Sequence, residues 1–163
     1  MTFRLPIGAR DFFRIRGGRP FGATETGSSR FLIFDAFSCC LLLGFDRRRH
    51  GEKDQLEGQD FLPGYPDTHR GQAVIYAGLL VDAELARKDI APEDRGSVER
   101  EMVNLLDLTS STRLSEAGND LLNLYAASGF ERLRDAATAP SNLEDFLIDY
   151  AQLWRVRDAD ASA

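Results

Sequence analysis

Apolar residues are densest between Phe31 and Phe45, FLIFDAFSCCLLLGF, a run broken by Asp35, Ser38 and Gly44. Apolar side chains on nearly every side of the axis, at helical length, predict a central helix surrounded by neighbours. Ser28 or Ser29 can cap its start, and Gly44 is placed to end it. The run has 15 residues, short of the roughly 18–20 that a membrane-spanning helix needs.

Four further helices follow from the pattern. Thr68 is placed to cap one through GQAVIYAGLLVDAELARK, with Val74, Ile75, Ala77, Gly78, Leu79 and Val81 as a broad apolar face. APEDRGSVEREMVNLLDL opens on Pro92 and acidic residues, the composition of a helix start. Ser115 stands before EAGNDLLNLYAASGFERLRDA, where Leu121, Leu122, Leu124, Tyr125, Phe130 and Leu133 share a face and Gly129 is placed to break or kink it. SNLEDFLIDYAQLW opens with Ser141 and Glu144 at capping-box spacing.

Polar stretches separate these blocks. Residues 1–30 are rich in Gly and Arg and predict an extended arm, with a short strand or helical turn at DFFRIR. The glycines and prolines of HGEKDQLEGQDFLPGYPDTHRG forbid a long element. A loop of that length is either held by Phe61, Leu62 and Tyr65 or functionally mobile. The tail RVRDADASA has nothing to bury after Val156 and reads as disordered. The fold predicted is all-α: a compact bundle of about five helices over 31–154, preceded by the arm at 1–30, with room for a small hairpin, and followed by a disordered tail at 155–163.

Length and composition agree with one domain. The chain has 163 residues, 43% hydrophobic and 28% charged, enough to bury a core. No charged n-region precedes an apolar segment at the start, so a cytoplasmic location is expected. Cys39 and Cys40 are adjacent inside the apolar run, an arrangement suited to packing and poor for a structural disulfide. Net charge is −6, unevenly spread. Residues 1–50 hold nine Lys/Arg against four Asp/Glu, and residues 51–163 hold eleven against twenty-two. A basic face and an acidic face are one reading, acidic helices that maintain solubility the other.

The chemistry-bearing patterns are mostly incomplete. His50, His69 and the cysteine pair lack metal-ligand spacing, and no cofactor motif is present. Asp82, Glu84 and Lys88 approach a nuclease-like D…E-x-K spacing, but on a helix they fan out around the axis. GGRPFGAT has the glycine spacing of a phosphate loop, with Ala23 in place of the lysine and no strand before it. There is no G-x-S-x-G elbow. What remains is basic: Arg47, Arg48, Arg49, His50 and Lys53 at the exit of the apolar helix, and Arg14, Arg16 and Arg19 in the arm. Cations at a helix C-terminus are favoured by the dipole alone. Together the two groups can also meet phosphates or an acidic partner surface.

Two stretches then bear on function. FDAFSCCLLLGFDRRR joins an acidic-aromatic helix start, a small-residue apolar run and a Gly-aromatic-basic exit. LLNLYAASGFERL carries Tyr125, Ala126, Gly129, Phe130 and Leu133 in an apolar helix. In this order they resemble a family of small accessory proteins of DNA phosphorothioation (dnd) and anti-phage defence operons, over roughly Phe31 to Leu133. The resemblance implies a non-enzymatic adaptor in a bacterial DNA-modification or defence system, docked on a larger partner, with DNA within reach of its basic patch. It assigns no catalytic residue and no cofactor. The alternatives are a magnesium-dependent nuclease with an unrecognised carboxylate site and a stand-alone helical DNA-binding protein; self-association of the bundle is compatible with all three.

Overall fold

The computed structural model describes residues 3–22 and 31–162 and is mostly helical. The elements run β1 (Phe3–Pro6), α1 (Ala9–Phe12), α2 (Ile33–Arg47), β2 (Leu56–Leu62), α3 (Ala73–Arg87), α4 (Arg95–Leu105), α5 (Glu116–Ala136) and α6 (Leu143–Ala161). Among the described residues no helix is long and apolar enough to cross a membrane.

The centre is an antiparallel pair, α2 against α5. Gly44 and Gly129 bring their backbones into direct contact: a Cβ placed at Gly129 would fall 2.6 Å from the backbone nitrogen of Gly44 and nearer still to the Cys40 carbonyl oxygen. A Cβ at Gly44 would fall 2.6 Å from the Tyr125 carbonyl carbon. Neither glycine does what the local pattern predicts, because at both positions the neighbouring helix needs the space of the side chain. Gly44 is interior to α2, which ends at Arg48 in the left-handed conformation, φ 51°. Gly129 lies within an unbroken α5.

Residues 3–15 are part of the core rather than an arm. Phe3, Leu5, Ala9, Phe12 and Phe13 are buried, and Phe3 packs its ring on Phe34, Phe37 and Tyr65. β1 pairs antiparallel with β2, Arg4 opposite Asp60 and Pro6 opposite Leu56, with a register shift on either side of Arg4. The strand therefore arises inside the segment expected to hold no long element, and the two-stranded sheet joins residues fifty or more positions apart. Phe61, Leu62 and Tyr65 pack against the core as the first alternative for that segment required. The short element expected at DFFRIR is a helical turn set earlier, α1, which ends at Phe12.

Helix starts agree with the sequence in one case and shift in the others. Ser115 caps α5, its hydroxyl accepting from Gly118 N at 3.0 Å. Asn142, not Ser141, caps α6 by accepting from Asp145 N. Asp94 caps α4. Thr68 lies in a 3-10 turn, Asp67–Gln72, ahead of α3. The proposed caps of α2, Ser28 and Ser29, lie outside the described residues, as does Ala23 of the GGRPFGAT stretch; the Asp35 carboxylate accepts from Leu32 N at 2.6 Å. On α3 the buried face is Ala73, Tyr76, Ala77, Leu80, Val81, Ala83 and Glu84, whereas Val74 and Ile75 are exposed. Nor does the helix stop near Val156: α6 continues to Ala161, so residues 155–161 are helical rather than disordered.

Candidate docking site

The basic residues divide by what they touch. Arg47 turns back onto α5, donating to the Ser128 carbonyl at 2.6 Å and to the Glu131 carboxylate at 3.1 Å. Its charge is spent on the α2–α5 pair. Arg48, Arg49 and Lys53 are exposed and, among the described residues, have no ion-pair or side-chain hydrogen-bond partner. Arg14 donates to the Pro140 carbonyl at 3.0 Å, beyond the end of α5, while Arg16 and Arg19 sit in an exposed turn bridged by their own backbones. Because α2 and α5 are antiparallel, that turn lies near the start of α2, and Arg48 and Arg49 lie at its end. Fifteen residues of helix separate the two groups by about 22 Å, so they do not form one patch.

The difference between Arg47 and its neighbours is testable. Arg47→Ala should cost about 1–2 kcal/mol, the worth of charge-assisted hydrogen bonds at a half-buried site. Arg48→Ala and Arg49→Ala should stay within about 0.5 kcal/mol. Urea denaturation of the three variants measures this.

Beside Arg48 the surface is concave. A groove of about 560 Å³ is lined by Leu42, Phe45, Asp46, Arg48, Leu79, Asp82, Trp154 and Arg157. Its floor is the outer face of α2, its walls are α3 and α6, and all three helices run in the same direction. Tyr150 donates to the Cys39 carbonyl at 2.9 Å, and one register further on Arg157 meets Asp46 at 3.1 Å. Asp46 is thereby neutralised, and the Arg157 guanidinium lies over the Trp154 ring, 5.7 Å from its centroid. On α3 an outward stripe of Ile75, Gly78, Leu79 and Asp82 leads into the groove at helical spacing. Ile75 is 59% exposed. The pattern at the sequence level places Val74 and Ile75 in a core face because it records apolarity without its direction; the trace of the groove is that α3 carries more apolar positions than one buried face accommodates.

Other polar clusters are occupied by their own partners. Glu84 is fully buried between α3 and α5, accepting from Arg87 at 2.8 and 2.9 Å and from the Tyr125 phenol at 2.7 Å. Burial pushes its carboxyl up, but the hydrogen bonds from Arg87 and Tyr125 and the charges of Arg87 and Lys88 outweigh this and hold it below the usual carboxylate range. Burial, then the bond to Glu84, pushes the Tyr125 phenol up. Lys88 bridges to Glu101 at 2.6 Å. Asp82 points outward into the groove, so Asp82, Glu84 and Lys88 do not converge. Among the described residues no three His, Cys, Asp or Glu side chains come together to hold a metal ion.

His69, buried, bonds Asp35 at 2.8 Å through Nε2 and Thr68 at 2.9 Å through Nδ1, fastening the turn before α3 to α2. Cys39 and Cys40 are free thiols. Burial, with the charge of Asp35, pushes Cys39 up to about 12, which leaves it a neutral packing group. Tyr125, Ala126, Gly129, Phe130 and Leu133 all form the buried face of α5.

Comparisons of the chain with protein families, with curated proteins and with solved structures find no match.

Proposed function

We propose that this chain is a non-enzymatic accessory protein that docks on a larger protein of a bacterial DNA-modification or anti-phage defence system through the end of α2 that carries Arg48 and Arg49. The observation that carries the docking role is that these two arginines are exposed and without a partner among the described residues, and that Arg48 lines a groove in which Leu42, Phe45, Leu79 and Trp154 alternate with charged side chains. The setting comes from the two stretches that resemble the phosphorothioation-associated family. A partner protein fits better than DNA: a duplex presents a continuous row of phosphates, and here Arg14, Arg16 and Arg19 lie a helix length away from Arg48 and Arg49. The buried carboxylate that the nuclease alternative would recruit, Glu84, is already committed to Arg87 and Tyr125.

Co-expression of the tagged chain with its operon neighbours, followed by capture and mass spectrometry, tests this. Near-stoichiometric recovery of a DNA-modification enzyme or defence ATPase is expected with the natural sequence and with Arg16→Glu/Arg19→Glu, and its loss with Arg48→Glu/Arg49→Glu. Recovery of the chain alone overturns the reading, and an electrophoretic shift of duplex DNA by the isolated chain replaces it with direct DNA binding.

A further inference from the structure

Resting on that docking role, we infer that the groove between α3 and α6 takes one amphipathic helix of the partner, antiparallel to α2, with acidic residues in its first turn against Arg48 and Arg49. The geometry gives the shape. Floor and walls are three helices running the same way, so a fourth laid between α3 and α6 over α2 completes a bundle and covers Leu42, Leu79, Trp154 and Ile75. Gly78, one turn before Asp82 on the outward stripe of α3, adds no bulk beside the groove, with nothing within 4 Å of a Cβ placed there. That open space allows close approach of a second helix backbone.

The charges give the direction. All three groove helices present their carbonyl ends toward the same end, the end at which Arg48 and Arg49 have no partner among the described residues while Asp46 is taken up by Arg157. A helix that enters antiparallel brings its positive N-terminal end beside those carbonyl ends. Acidic residues favour that same N-terminal turn within the partner and pair with Arg48 and Arg49 across the interface. The reverse orientation would set its carbonyl end, and the cations such ends favour, against the same arginines. A partner helix with apolar residues at i, i+3, i+4 and i+7 and Asp or Glu in its first turn is therefore the complementary surface.

The test uses the full chain as bait for a displayed library of helix-forming peptides about three to four turns long, with the first turn randomised between acidic, neutral and basic residues. Selected peptides should carry the apolar stripe and an acidic first turn. Their binding should shift the emission of Trp154, the only tryptophan, saturably. Gly78→Trp, which sets a bulky side chain on the outward stripe of α3 beside the groove, at an exposed position where the chain has room, should abolish binding, and Arg48→Glu/Arg49→Glu should weaken it at least about tenfold. No selection, selection of basic first turns, or binding unaffected by Gly78→Trp overturns the inference. So does concentration-dependent dimerisation of the chain itself that Gly78→Trp removes, because the occupant would then be a second copy. Partner capture that depends on Arg48 and Arg49 but survives Gly78→Trp leaves the docking role standing and removes the helix. Peptide selection that succeeds where capture fails does the reverse.

Discussion

Gly129→Ala is expected to destabilise the protein by about 3 kcal/mol or more, where the same change at Gly78 stabilises it by up to about 1 kcal/mol. Both glycines lie inside helices, and in a free helix alanine is favoured over glycine by roughly that last amount. The sign is decided by what the new methyl meets. At Gly78 it meets open solvent. At Gly129 it meets the backbone of α2, 2.6 Å from Gly44 N and 2.7 Å from the Cys40 carbonyl carbon. No rotamer relieves a clash between a Cβ and a main chain, so the two helices must separate. Separation loosens contacts all along the pair that buries Phe37, Leu41, Leu122, Ala126 and Leu133. Gly44→Ala should behave like Gly129→Ala, and the double variant should lose less than the two single losses added, because one separation accommodates both methyls. Urea denaturation of the four variants measures the differences directly, as for small domains that unfold in one step.

The same glycines show why the sequence was legible in some places and not in others. The apolar runs of α2 and α5 are visible because burial on most sides leaves a compositional mark on the segment itself. The crossing between them is invisible, because Gly44 and Gly129 carry the local signature of a helix stop and a kink while their use is set by a helix some eighty residues away. Distance hides the sheet as well. β2, LEGQDFL, has no clean alternation and forms through pairing with β1, and Phe3 and Leu5 look like an apolar fringe on an arginine-rich arm until that pairing turns them inward.

For the candidate site, the exit arginines were found by position in the sequence, but their division into one structural and two free groups depends on Ser128 and Glu131 across the pair. The sequence puts Leu79 on an apolar helix face, Leu42 in the all-round apolar run and Trp154 at the end of the last helical segment, and none of these indicates a groove. A groove is a relation among three helices, and no single helical pattern contains it.

Glu84 is the second position where a large effect is expected. Glu84→Ala should cost about 3–5 kcal/mol at neutral pH, since it leaves the Arg87 guanidinium and the Tyr125 phenol without the acceptor that compensates their desolvation. Glu84→Gln should cost less, because the amide retains one acceptor for Tyr125 while losing the charge that Arg87 faces. The pH dependence separates charge from packing. The folded-state carboxyl of Glu84 lies below its ordinary value of 4.5, so its ionised form stabilises the fold fully above about 4.5, and that contribution is lost as pH falls through the depressed folded value. The stability gap between the natural sequence and Glu84→Gln should therefore be level from pH 7 down to about 5 and close below about 4.5. Chemical denaturation across that range reads the gap. A gap that stays constant to pH 3 would mean that the carboxylate charge contributes nothing and that Glu84 ties α3 to α5 by shape and neutral hydrogen bonding alone. A gap that closes gives Arg87 and Tyr125 the role the distances imply, holding a buried negative charge at the junction of α3 and α5, behind the wall of the groove.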